Sequence, residues 1–241
     1  MKTETISPSE FDQYATDYDR MLTEGLAISG EDKDYFAQGR IDWLRSCLDQ
    51  LGVAPKFIMD FGCGTGASVP ILHERLSAKS VVGVDPSRCS IQRAEREYGT
   101  ANWLFKQIDE YCPRGNADLV YCNGVFHHIP LANRAKAAAY AWRALRPGGY
   151  WAFWENNPWN PGTRYIMSRV PFDRDAVPLY ASEAHQLLQL AGFHIMRTDY
   201  LFIFPKCLKA LRWLEPLLSK YPLGGQYLVL GRKSEKLSDH A

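Results

Sequence analysis

An α/β fold with an open, mostly parallel, doubly wound sheet is predicted for this 241-residue chain by three observations. First, Phe57-Ile58-Met59-Asp60-Phe61 is a short apolar run that passes through an acid and ends in alternating glycines, Gly62, Gly64 and Gly66. That is the pattern of a buried strand entering a tight turn. Second, Val69, Ile71, Leu72 and Leu76 fall at helical spacing, so a helix follows the loop. Third, a second apolar run, Val81-Val82-Gly83-Val84, ends in Asp85-Pro86-Ser87. A strand, a glycine loop and a helix in succession are how open α/β sheets bind nucleotides.

The glycine spacing separates two ligand classes. A dinucleotide fingerprint reads G-x-G-x-x-G, with a diphosphate at the helix start. Here the run is D-x-G-x-G-x-G, and Asp60 would repel a diphosphate. An acid at that place suits a ligand with a cationic end. A carboxylate at the tip of the next strand, Asp85, can accept bonds from both hydroxyls of a ribose. An unmodified ribose with an amino group is the profile of S-adenosylmethionine.

Asp60-Phe61-Gly62-Cys63-Gly64-Thr65-Gly66 followed by Val84-Asp85-Pro86-Ser87 resembles the class I S-adenosylmethionine-dependent methyltransferases, of the small-molecule type. The resemblance spans about residues 11–232 and is tightest over 56–154. It implies a seven-stranded sheet of order 3-2-1-4-5-7-6, N-terminal lid helices and a cap insertion after strand five. It also implies a single domain over 1–241, divided into a helical lid (1–51), a cofactor core (52–162), an acceptor cap (163–181), the rest of the core (182–232) and a tail (233–241). The cofactor implied is S-adenosylmethionine, with Asp60, Gly62, Cys63, Gly64, Gly66, Asp85 and Pro86 around it. An NAD-type nucleotide enzyme and a cofactor-binding member without catalysis stay open as alternatives.

Each element follows in order. Ser7-Pro8-Ser9-Glu10 precedes Phe11, Tyr14, Tyr18, Met21 and Leu22 at spacings of three and four, a capped amphipathic helix. By resemblance, Tyr14 and Tyr18 close over the methionine end of the cofactor. Gly30 separates a second helix, from Tyr35 to Leu51, on which Arg40 is within reach of the cofactor carboxylate. After a helix over Ser90 to Tyr98, strand three reads Trp103 to Ile108. The backbone of Ile108 and the side chain of Asp109 are the candidates for the adenine amino group. Strand four, Asp118 to Cys122, leads into Asn123-Gly124-Val125-Phe126-His127-His128, which resembles the family's loop where cofactor and acceptor meet. Asn123 is assigned to the cofactor. His127 and His128 are candidates to orient or deprotonate the acceptor, because an imidazole exchanges protons near neutral pH.

Leu131 to Leu145 is alanine-rich and helical, and Pro147-Gly148-Gly149 stops it before strand five, Tyr150 to Trp154. Glu155, at the carboxyl end of that strand, is a third catalytic candidate. Asn157-Pro158 and Asn160-Pro161-Gly162 read as loop. In the insertion that follows, Arg164, Arg169 and Arg174 are expected to pair locally with Asp173 and Asp175. A helix from Ser182, strand six over 193–204, a helix over 206–218 and a last strand from Gln226 complete the chain.

Composition bounds the rest. A formal charge of +1 shows no basic bias, so neither nucleic acid nor anionic membrane is expected as a partner. The first five residues lack a signal peptide's apolar core, and no apolar run is long enough to span a bilayer. Six scattered cysteines without a C-x-x-C pair give neither a zinc nor a disulfide pattern. The expectation is a reduced, cytoplasmic, metal-free protein, monomer or homodimer, that takes a small-molecule acceptor and methylates its oxygen or nitrogen.

Overall fold

The computed structural model describes residues 25–170, 173 and 176–234. The predicted helix that carries Tyr14 and Tyr18 lies outside the described residues. Among those described, α1 spans Lys33–Gln50, β1 Phe57–Phe61, α2 Ser68–Arg75, β2 Ser80–Asp85, α3 Arg88–Tyr98, β3 Trp103–Gln107 and β4 Ala117–Asn123. Then come α4 Leu131–Ala144, β5 Leu145–Asn156, α5 Pro161–Arg169, α6 Ala181–Leu190, β6 Phe193–Leu201, α7 Glu215–Leu218 and β7 Gln226–Lys233. The sheet has the order β3-β2-β1-β4-β5-β7-β6, as the resemblance implies. β1 to β5 pair in parallel, whereas β7 runs antiparallel between β5 and β6.

Alternation along the strands feeds two cores. Ile58, Tyr121 and Trp154 face one way, onto Ile41, Leu44 and Leu48 of α1 and Val69 and Leu72 of α2. Met59, Val120, Cys122 and Phe153 face the other, onto Ala138 and Ala141 of α4 and Leu188 of α6. A period of two on a sheet covered on both faces gives apolar residues on both sides, so these strands read as continuous runs. Parallel pairing also sends the carboxyl ends of β1, β2, β4 and β5 to one edge, where ligands bind such sheets.

Four boundaries differ from expectation. Asn160-Pro161 does not extend the loop; it starts α5. The Asn160 side chain accepts the Thr163 amide at 3.0 Å and Pro161 occupies the first turn, where its missing N–H costs nothing. Pro147-Gly148-Gly149 lies within β5, which begins at Leu145 and absorbs the irregular residues as a register shift opposite Ala117 and Leu119. Residues 206–214 are 3-10 helix broken at Leu208, and only 215–218 are α-helical. β6 ends at Leu201, because Phe202 takes φ +62° and leaves the sheet. No described helix is long and apolar enough to cross a membrane. No disulfide joins the six cysteines, all of which are among the described residues.

Candidate active site

Two adjoining cavities open at the carboxyl edge. The smaller, about 120 Å³, lies over the glycine loop and is lined by Asp60, Gly62, Cys63, Gly64, Thr65 and Asn123, among others. Gly62 has φ +74°, and a Cβ there would come within 2.3 Å of Val125, so only glycine fits. Gly64 has φ +52°, but a Cβ on it would meet nothing within 4 Å; the space above it is cavity.

The Asp60 carboxyl, 2 % exposed, is pushed up to about 7 by burial first and then by Asp85, against the pull of Arg40. Among the described residues its Oδ2 has no hydrogen-bond partner, and neither has the buried Oδ1 of Asn123. Two orphaned acceptors, one of them ionisable, suit a cationic donor such as an amine. Burial, with Asp85 and Asp60, holds the Cys63 thiol far above its ordinary range, so it stays a neutral packing group.

Asp85 sits beneath the loop. Its Oδ2 accepts the Gly64 amide at 2.9 Å and its Oδ1 the Ser87 amide at 2.8 Å. It lines neither cavity. Pro86 is exposed and its carbonyl accepts from Gln107. Ile108 donates its amide to the Asp85 carbonyl and packs against the core, whereas Asp109 is exposed; neither lines a cavity.

The larger cavity, about 410 Å³, is lined by residues from α1, the loop after β4, α5, the segment after β6 and the start of β7. Arg40, Lys33 and Asn123 line both cavities. Arg40 is 7 % exposed; its Nε donates to the Tyr121 hydroxyl at 3.2 Å and one terminal nitrogen to Gln226 Oε1 at 2.9 Å.

A 3-10 turn over Phe126–His128 carries both histidines onto this cavity. Glu155 does not face it. Buried to 1 % exposure, its Oε1 accepts the Phe126 amide at 2.7 Å and its Oε2 meets His127 Nδ1 at 2.5 Å. Asp173 completes the cluster, 3.4 Å from His127 Nε2 and 3.2 Å from His128 Nε2. Among the described residues Asp173 pairs with these two histidines; Arg174 and Asp175, two members of the expected local pairing, lie outside the described residues. Burial alone would lower the His127 imidazole, but Glu155 and Asp173 outweigh it and raise it to about 10. Burial likewise opposes the Asp173 carboxylate, and the histidines overcome it and hold it below its usual range.

His127 is therefore a cation whose two N–H groups both point at carboxylates, and it has no site left to take a proton. Glu155 is committed to holding it. Of the three catalytic candidates, His127 and Glu155 are engaged with each other, whereas His128 lines the larger cavity with its Nε2 3.2 Å from Asp173 Oδ1. His127, His128 and Asp173 also bring their possible ligand atoms within 4.8 Å of one another, a grouping that the sequence spacing does not reveal.

Residues 58–149 match the family profile described as a methyltransferase domain. The trans-aconitate 2-methyltransferase of Escherichia coli O139:H28 is 26% identical over 197 residues, covering 76% of this chain and 77% of that protein. An S-adenosylmethionine-dependent methyltransferase structure from Thermotoga maritima superposes with a TM-score of 0.60 at 19% identity, over 93% of this chain and 98% of that one. The [4+2]-cyclase SpnF superposes with a TM-score of 0.61 at 17% identity, over 95% and 99%. At such identities the two structures speak for the fold alone.

Proposed function

We propose that this chain, as a class I S-adenosylmethionine-dependent methyltransferase, methylates the hydroxyl oxygen of a small-molecule acceptor, with His128 as the base and Asp173 as the residue that orients it. The single observation behind this reading is the Asp173–His128 pair on the wall of a cavity that adjoins the glycine loop. When bound, the cofactor supplies an electrophilic methyl group on a good leaving group, so the protein's task is alignment and removal of the acceptor's proton.

Asp60 and Asn123 would hold the amine, Arg40 the carboxylate, and the backbone over 62–64 would line the nucleoside. Asp85, at the tip of β2, would meet the ribose while fixing the loop. The residues present fit the cofactor, because Asp60 and Asn123 both line the smaller cavity and each brings a buried oxygen, unpartnered among the described residues, that an amine would satisfy. The α5 segment and Asp173, within 163–181, would serve as the acceptor's cap.

The charge at the site favours a neutral hydroxyl. Glu155, Asp173 and the protonated His127 leave one negative charge beside His128, which stabilises a proton arriving there and repels an anion. A second reading is carboxylate methylation, favoured by the name of the E. coli relative; a carboxylate would need no base.

The test is methyl transfer from isotopically labelled cofactor to matched panels of alcohols and phenols, carboxylic acids, and amines, with products separated as ethers, esters and methylamines. Ethers, lost in His128→Ala with S-adenosylhomocysteine affinity intact, would bear the proposal out. Base-labile esters formed equally well by His128→Ala would replace it with the second reading.

A further inference from the structure

Phe202 stands in a backbone conformation that a bulky side chain avoids, φ +62°, and its ring lines the larger cavity. The surroundings over-determine it. The Glu215 carboxylate, 9 % exposed, accepts the Phe202 amide at 3.3 Å and the Phe204 amide at 3.1 Å. The Phe202 carbonyl accepts the Gly225 amide at 3.2 Å. The neighbouring Gly224 lies against the Leu201 backbone, where a Cβ would come within 2.3 Å. On the facing helix, Gly39 makes room: a Cβ there would sit 2.8 Å from Phe202 Cε1. A glycine inside α1 and a left-handed phenylalanine are each unfavourable locally. Together they set one ring edge-on to Phe36, at 4.9 Å between centroids, with Tyr35 beside both.

Polarity in the cavity is largely spoken for. Arg212 pairs with Glu31 at 2.9 Å and covers the Tyr35 ring at 4.6 Å; His127 pairs with Glu155 and Asp173. Between these lie the aromatic cluster and the aliphatic Ile166, Met167 and Val170. We infer that the acceptor is a flat aromatic hydroxyl compound whose ring system packs on Phe202 while its hydroxyl meets His128, and that the Phe202 backbone is held strained to present that ring. This rests on the hydroxyl reading above. It departs from a compact polycarboxylate, which would meet carbon on most sides.

Two probes share one carbon skeleton: 2-naphthol is flat, decahydro-2-naphthol puckered. Their binding would be measured by calorimetry with S-adenosylhomocysteine present. Ring stacking of this kind is worth about tenfold in affinity, so the wild type should prefer 2-naphthol by about that factor. Phe202→Gly removes the ring and suits the positive φ, so it should erase the preference, leave S-adenosylhomocysteine affinity unchanged and stay folded. If Phe202→Gly loses cofactor affinity, Phe202→Leu serves in its place and should reduce the preference in the same direction. Equal binding of the two probes by the wild type, or an undiminished preference in the variant, would overturn the inference. Selective binding of 2-naphthol with no ether formed would leave it standing and remove the hydroxyl-transfer reading instead.

Discussion

The two cavities share a wall but are built differently. Half of the residues that line the smaller one come from one short stretch, residues 60–68, supported from below by Asp85. The larger takes its lining from segments near 26–40, 123–128, 156–173, 202–212 and 225–226. The first is built around a glycine loop whose turn depends on backbone conformation; the second draws on side chains from five separate segments. A site made of backbone tolerates little variation in residue type, whereas a site made of side chains can be re-equipped without disturbing the sheet. Selectivity for the acceptor is therefore expected to reside in the larger cavity and affinity for the cofactor in the smaller one.

The sharpest way to break that division is to disable each cavity and ask whether the other notices. His128→Ala should lower turnover by about 10²- to 10⁴-fold, the usual worth of a positioned base, with S-adenosylhomocysteine affinity unchanged by calorimetry. Asp60→Asn should weaken that affinity by about 10- to 100-fold, the range for a hydrogen bond to a charged group, and leave the larger cavity's affinity for acceptor alone unaltered.

Asp60 also makes a pH signature. Its carboxyl is raised to about 7 in the folded protein, so the native state binds a proton that the unfolded state releases near pH 4. Its burial therefore costs nothing below about pH 4, and the cost grows until pH passes 7, to a few kcal/mol by order of magnitude. Asp60→Asn should accordingly raise the melting temperature at pH 8 and change it little at pH 4. Affinity for the cationic ligand should follow the opposite course, falling about tenfold per pH unit below 7 in the wild type.

His127 gives the matching signature for the larger cavity. Its folded value, about 10, lies above its ordinary 6.5, so its contribution to stability is full below pH 6.5 and is lost as pH rises through 10. Glu155→Gln should flatten that slope in pH-dependent denaturation, and a slope unchanged in the variant would reassign it. Smaller again is the α5 cap: Asn160→Ala should cost about 1 kcal/mol and raise the acceptor KM, with cofactor binding unmoved. The smallest expected effect is none, because chelators should leave turnover intact if His128 works as a base; a metal-restorable loss would recast His127, His128 and Asp173 as ligands.

The same contrast explains what could be read from the chain. The strands and the glycine loop were legible because each rests on local signals, apolar runs, turn glycines and an acid at a strand tip, whereas the strand order came only from the family resemblance that those motifs carry. His127, His128 and Glu155 were legible as polar residues at strand ends, but their division of labour was not. It depends on Asp173, 46 residues from His127 in the chain and preceded by no pattern that marks it. Phe202 looked like one more apolar residue of β6, since nothing in its neighbours announces a left-handed backbone; the cause lies in Glu215 and Gly225, which arrive later in the chain. Asn160-Pro161-Gly162 was misread because the same residues that break a helix also begin one.

Arg40 ties these threads together. It lines both chambers and is held by two neutral partners, Tyr121 and Gln226, so a ligand oxygen entering on either side would draw on the same hydrogens. The two occupancies are then thermodynamically linked: whatever the first arrival does to the second, the second does equally to the first. Order of addition, product retention and competition between spent cofactor and fresh acceptor all become properties of one shared partition.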